Sequence, residues 1–291
     1  MVTSKSERIF QTINNLFFLL VSLSMLAPLI NLLAISFSSP LYVNAKRVYF
    51  WPKGFSLDVY ETIFRLPSLW RSMGVSVVIT LTGTLITLIL GSTLAFALSR
   101  RQMKGRSFVL LAIILTFIFT VPLIPSYLLV TSLGLKNTLW AVMVPNALSA
   151  FYILIFRAFF EGISSELFEA AKIDGSSELG IYFRIVLPLS KAVLATIALF
   201  HAVYQWNSYF EALIYISKPN LYPMQIILRN MVVNDMAQNT LTSSINESMR
   251  QLTPAMLKAG IILFATAPIV VVYPFIQRYF VKGAMLGAVK E

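Results

Sequence analysis

Cysteine is absent from the 291 residues. Disulfides and thiolate metal sites are therefore excluded, while the compartment stays open. Charge is scarce: 12% of residues are charged and 57% are hydrophobic. A soluble globular chain carries about 25% charged residues, so this one has too few to coat a water-facing surface. A single histidine leaves no H-E-x-x-H pair, and a zinc site built from this chain is not expected. No Gly-Lys dipeptide occurs, which rules out a G-x-x-x-x-G-K-[ST] phosphate loop.

The charges that exist are clustered. None falls between Arg8 and Lys46, Arg71 and Arg100, Arg106 and Lys136, Lys136 and Arg157, Lys191 and Glu211, or Lys258 and Arg278. Each gap accommodates the roughly 20 residues a helix needs to cross a hydrocarbon core of about 30 Å. A charge at mid-bilayer costs about 2.5–3.5 kcal/mol on insertion scales. Helices satisfy their own backbone in lipid, and the runs lack the alternation of a transmembrane barrel. The reading is an all-α polytopic membrane protein of six transmembrane helices, near residues 13–36, 72–99, 108–131, 138–157, 191–211 and 256–277. The first run has no A-x-A-like exit and reads as a retained span. The net charge of +11 reflects basic residues at span ends rather than a nucleic-acid surface.

Six spans put both termini on one side. The loop Arg100–Arg106 holds four basic residues and no acid, whereas the loop after the third span holds Lys136 alone. The positive-inside rule then places the termini in the cytoplasm, although Lys46, Arg47, Lys53 and Arg65 fall outside. The expected layout is a tail at 1–12, a membrane domain at 13–277, and a tail at 278–291. The cytoplasmic loop spans 158–190, and external segments span 37–71 and 214–255.

Gly83, Thr87, Gly91, Ala95 and Ser99 recur every fourth residue and predict a close helix–helix contact. Pro28, Pro122, Pro125, Pro145, Pro268 and Pro274 fall in or near spans, where they favour kinks. In the cytoplasmic loop, Ser164 or Ser165 is placed to cap a short helix, with Glu166 and Glu169 in its first turns. Gly175 is placed to end that helix at positive φ. A second short helix then leads to Pro188. Taken physically, this is a helix–turn–helix projecting from the membrane, with Ala170 and Ala171 small enough for a partner's close approach. A solvated connector would account for the same residues.

The run Glu169-Ala170-Ala171, three residues, Gly175, nine residues, then Ile185-Val186-Leu187-Pro188 resembles the EAA motif of binding-protein-dependent ABC importer permeases. Ile163–Leu167, Asp174, Trp206-Asn207, Ala97–Arg100, Lys104–Arg106, Gly134–Thr138 and Gln277–Gly283 resemble its carbohydrate-uptake, maltose-type branch. Nearly the whole chain takes part, least at 1–10 and 234–253. The resemblance implies a type I importer permease fold in a bacterial cytoplasmic (inner) membrane. It implies a paralogous permease, two cytoplasmic ATPase subunits that bind ATP and Mg, an extracytoplasmic solute-binding protein and a carbohydrate solute, by family an oligosaccharide. Carried over, Glu169 is the polar anchor to the ATPase, Ala170 and Ala171 the close-contact surface, Gly175 the turn, and Asp174 a further ATPase-coupling residue. Ile185, Leu187 and Pro188 seat the second helix on the fifth span. Gly283, Gly287 and Lys290 match a C-terminal tail that reaches the ATPase pair. This chain would bind no cofactor and catalyse nothing.

Tyr204, Trp206, Asn207, Tyr209 and Glu211 combine aromatic faces with hydrogen-bonding groups and are candidates for a solute path. The interfacial aromatic belt of any span would account for them equally. Two other classes compete. An ion-coupled secondary transporter needs intramembrane carboxylates, and the spans hold none before Glu211. An intramembrane serine hydrolase would draw on Ser76 and His201, but Val77 stands where such a serine needs a glycine.

Overall fold

A computed structural model describes residues 5–119, 121–233 and 252–288, with side chains at 7–119, 121–231 and 252–274. Every regular element among the described residues is a helix. In chain order the α-helices are α1 Lys5–Ser36, α2 Pro40–Asn44, α3 Asp58–Arg65, α4 Pro67–Ser99, α5 Arg106–Ile118 and α6 Leu123–Ser132. Next come α7 Trp140–Met143, α8 Ala150–Glu161, α9 Ser165–Ile173, α10 Glu178–Ile181 and α11 Leu187–Leu189. The last are α12 Lys191–Asn207, α13 Phe210–Tyr215, α14 Met224–Val233 and α15 Pro254–Ala288. The expected loop at 234–253 falls mostly outside the described residues.

Three charge-free runs are single helices long and apolar enough to cross a membrane: residues 7–36, 67–99 and 254–274. The others depart from single rods, and proline accounts for much of the difference. The third run splits into α5 and α6, with Phe119 and Pro122 both extended and Pro122 capping α6. The fourth, expected as one helix over 138–157, is instead α7 and α8. Pro145 has no N–H to carry the ladder on, and Ser149 is extended before α8. The fifth run, α12, joins the preceding segment 178–189 at a 79° bend. Pro28, Pro268 and Pro274 lie inside helices that continue.

The chain divides into two units, residues 1–70 with 228–267 and residues 71–227 with 268–291. In the first, α1 exposes apolar side chains on every side over most of its length, including Phe10, Phe17 and Met25. That is the pattern of a helix whose solvent is lipid. The segment after α1, which the sequence left without a core, is folded. Ser38 Oγ accepts from Lys53 N–H at 3.0 Å and donates to Ala34 at 2.6 Å. Phe37 stacks on Phe55 at 5.7 Å. α3 turns Val59, Thr62 and Ile63 inward at helical spacing, and Gly260 of α15 lies flush against Val59 and Ile63.

In the second unit α4 is the packing post. Its small-residue face is a helix–helix contact, as expected. Gly83 lies against the Gln205 side chain, and a Cβ at Gly91 would touch the Phe156 ring at 3.6 Å. Ala95 is fully buried. Hydrogen bonds stitch the same helix to its neighbours: Ser76 Oγ accepts from Met224 N–H at 2.8 Å, Thr87 Oγ1 lies 3.0 Å from His201 Nε2, and Ser92 Oγ lies 2.6 Å from the Tyr182 hydroxyl. His201 is thus a buried bundle residue. Ser76 and Thr87 stand eleven residues apart, about 16 Å along a helix, so Ser76 is out of reach of His201 and no serine–histidine pair forms. Apolar side chains gather in separate clusters, one around Ile79, Val142 and Ile226 and a larger one around Phe96, Phe156, Phe160 and Ile197.

Candidate coupling element and solute path

The EAA segment forms a compact hook. Ser164 Oγ accepts from Glu166 N–H at 3.3 Å and caps α9, which settles the choice between the two serines. At the other end Gly175 takes φ +78°. Ser176 N–H then reaches the Ala171 carbonyl at 2.9 Å, and Gly175 N–H reaches that of Lys172 at 3.0 Å. This bond pair is the Schellman arrangement, which consumes two carbonyls the helix end would leave unpaired. Ser177 Oγ caps α10 by accepting from Gly180 N–H at 3.1 Å. A π-helical turn, Tyr182–Val186, follows before α11. Pro188 lacks the N–H that would close an α-turn there, which favours the wider winding.

The two faces of the hook differ. Phe168, Ala171, Ile181, Tyr182 and Val186 sit in the larger apolar cluster. Ala171 is only 7% exposed, which corrects the expectation that it shares an open contact surface with Ala170. The 100° advance per residue of a helix turns Ala171 inward while leaving Glu169 and Ala170 outside. The outer face holds Glu169, Ala170, Ile173 and Asp174, all exposed. Ile173, at 86% exposure, is an open apolar knob that motif reasoning passed over. Ile185 and Leu187 pack partly into the cluster, as their expected seating role requires, whereas Pro188 is exposed.

A second feature the motif did not disclose is an ion network under the hook. Glu178 receives Lys172 Nζ at 2.9 Å and Arg100 Nη2 at 3.3 Å. The hydrogen bond from Lys172, aided by the charges of Arg100 and Lys172, lowers the Glu178 carboxyl below its usual range against a smaller opposing effect of burial. The Arg100 guanidinium lies 3.7 Å over the Phe168 ring and 4.8 Å from that of Phe96. Nearby, Glu161 pairs with Arg106 and with Arg157. Arg106 Nε also donates to the Leu98 carbonyl at 2.8 Å. A cavity of about 970 Å³ opens among Arg101, Arg106, Arg157, Glu161, Glu169 and Lys172.

The five candidate solute residues do not form one lining. Tyr204 donates to Glu211 Oε1 at 2.9 Å, and Asn146 Nδ2 reaches the same oxygen at 3.5 Å, a partner sequence spacing could not reveal. Asn207 is spent on the Val203 carbonyl at 2.8 Å. Tyr209 is exposed and meets Phe210 edge-on. Trp206 is buried beside an apolar cavity of about 580 Å³ between α4, α12 and residues 268–273. Gln205 is 2% exposed, and among the described residues its amide atoms and the Trp206 Nε1 have no hydrogen-bond partner. Of the expected tail contacts, Gly283 and Gly287 lie within α15, which runs past residue 277, and Lys290 is outside the described residues.

Comparison with known proteins agrees with the motif. The family described as binding-protein-dependent transport system inner membrane component matches residues 4–285. Protein LplC of Bacillus subtilis (strain 168) is 40% identical, over 100% of this chain and 98% of its own. The polygalacturonan/rhamnogalacturonan transport system permease protein YtcP of the same organism is 39% identical, over 98% of this chain and 99% of its own. A crystal structure of a bacterial ABC transporter involved in import of the acidic polysaccharide alginate has a chain that superposes with TM-score 0.90 at 30% identity. That match covers 96% of this chain and 99% of the other. The hook, the apolar runs and these similarities converge: the chain belongs to the family of binding-protein-dependent transport system inner membrane components, permeases of ABC importers rather than catalysts.

Proposed function

We propose that this permease imports an oligosaccharide, pairs with a paralogous permease, and is driven through its hook by two cytoplasmic ATPase subunits that bind ATP and Mg. A binding protein delivers solute to the side of residues 37–71 and 214–255, and both termini and the hook face the cytoplasm. The observation that carries the reading is the two-sided hook. Its inner face is locked into the bundle by Phe168, Ala171 and Ile181, while Glu169, Ala170, Ile173 and Asp174 stand open for a partner. A charged anchor, a small contact residue and an apolar knob together suit a protein groove, where a few residues carry most of the binding energy. Residues Gly283, Gly287 and Lys290 supply a second contact with the ATPase pair.

Acidic oligosaccharides are the first solutes to test. One relative carries polygalacturonan and rhamnogalacturonan in its name, and the structural neighbour serves alginate. The external Lys46, Arg47, Lys53 and Arg65, which the positive-inside rule does not explain, would attract a polyanion. Tyr204, Trp206, Asn207, Tyr209 and Glu211 are proposed to border its path.

The test is a crosslinker placed at Ala170 in working vesicles, with uptake and ATP hydrolysis followed together. Capture of an ATPase subunit is expected. Glu169→Lys should leave the bundle inserted while separating hydrolysis from uptake. Failure to capture any nucleotide-hydrolysing subunit, or uptake abolished by protonophores but indifferent to ATP depletion, would overturn the reading in favour of an ion-coupled carrier.

A further inference from the structure

We infer that Arg100 is a positioning residue that fastens the hook to α4, so that a displacement entering at α9 moves α4 and α12 together. The inference rests on the coupling role proposed above and adds the route by which motion leaves the hook.

The covalent route from hook to bundle is a poor strut. It runs from α10 through the π-helical turn Tyr182–Val186 and the short α11, and meets α12 across a bend of 79°. A π turn and a proline both weaken the hydrogen-bond ladder that makes a helix stiff. A push along that route alone is partly absorbed by bending.

Arg100 offers a direct route. It follows the last residue of α4, yet its guanidinium touches both arms of the hook. It lies 3.7 Å over Phe168 of α9 and reaches Glu178 of α10 at 3.3 Å, while its inner side rests 4.8 Å from Phe96 of α4. Glu178 also takes Lys172, so the ion network spans the Gly175 turn. The Arg100 side chain is 21% exposed and its two aromatic partners are buried, so the stacked faces are shielded from water, whereas the Glu178 end, at 53% exposure, is open to screening. Two further links lie along the same seam: the bond between Ser92 and Tyr182 at 2.6 Å, and the burial of Ala95, Phe96 and Leu98 against Phe168, Ala171 and Ile181. A planar cation with two usable faces and a fork of donors is the side chain this geometry demands. Lysine would supply the charge but neither the stacking nor the fork.

The experiment uses the assembled transporter, with its ATPases and binding protein, in liposomes. Because the chain has no cysteine, paired labels at Ile89 on α4 and Leu179 on α10, both exposed, can be attached to it site-specifically before it is assembled with its partners. Two quantities are read: ATP hydrolysed per solute imported, and the width of the spin-label distance distribution. With Arg100 present, one narrow distance is expected through the nucleotide cycle. With Arg100→Gln the distribution broadens and the ATP cost per solute rises at least about five-fold, a typical coupling effect. Arg100→Lys should fall nearer to Gln than to Arg. If Arg100→Gln does not assemble, Glu178→Gln should shift both readouts in the same direction by less. Unchanged stoichiometry and width in whichever variant assembles overturns the inference. Loss of Ala170 crosslinking to the ATPase in the unsubstituted transporter would instead sink the coupling reading itself, so the two failures are distinct.

Discussion

Replacing Gly175 isolates one physical variable. Its φ of +78° lies in the left-handed region, and a Cβ built there finds nothing within 4 Å. A side chain therefore meets no neighbour, and the cost of substitution is conformational alone. For alanine that cost is about 1–2 kcal/mol. Asparagine enters the region more readily and should cost less, while valine, β-branched, should cost most. Since 1.4 kcal/mol is a factor of ten in an equilibrium, Gly175→Ala should shift the balance between the hooked and unwound turn by about ten-fold. The two Schellman bonds at 2.9 and 3.0 Å would be lost with it. The assay is solute uptake and ATP hydrolysis in proteoliposomes for the series Asn, Ala, Val, with the amount of assembled transporter measured in parallel. Uptake per assembled complex should fall in that order while hydrolysis falls less. Val at wild-type uptake would refute the reasoning. So would Asn as harmful as Val, since the left-handed backbone would then not be the deciding variable.

Two other outcomes follow from the same structure. Gly260→Ala would drive a Cβ into Val59 Cγ1 and to 2.9 Å from Ile63 Cδ1, both side chains being fully buried. Overpacking of this kind costs about 1–3 kcal/mol. Apparent melting in detergent should drop, and Val59→Ala should restore part of the loss when combined with it, a non-additivity expected of touching residues. The Glu178 carboxyl gives a pH dependence. Its pKa is lowered in the fold by Lys172 first and Arg100 second, so its contribution is complete above the ordinary glutamate range and is lost as pH falls through the lowered value. Acidification should therefore loosen the hook, read as faster proteolysis at residues 174–177, and Glu178→Gln should flatten that acid limb while loosening the hook at neutral pH.

Much of the candidate site was legible because its signals are local. Ser164 and Gly175 cap and turn a short helix through atoms a few residues away, so spacing along the chain reports them. The four-residue recurrence of Gly83, Thr87, Gly91 and Ala95 likewise announced a packed face. Other features had no local signature. Ala170 and Ala171 are chemically alike, and only the position of the apolar cluster tells which is open. Arg100 and Glu178 stand 78 residues apart, and Asn146 and Glu211 stand 65 apart. The breaks in the third and fourth runs were suggested by Pro122 and Pro145, yet Pro28, Pro268 and Pro274 lie in helices that continue. A missing N–H permits a kink without compelling one, and neighbouring contacts decide.

Composition and charge spacing by themselves determined that the chain is a helical membrane protein, because the cost of a charge or an open backbone in hydrocarbon applies to each residue wherever it packs. The EAA spacing likewise determined which segment would form the hook. Only the tertiary structure decided which side of the hook packs into the apolar cluster, that Arg100 grips both of its arms, and that Tyr204, Asn146 and Glu211 converge. Those outcomes depend on distances between helices, and the side chains that set such distances come from positions remote in the chain, where no periodicity links one to another.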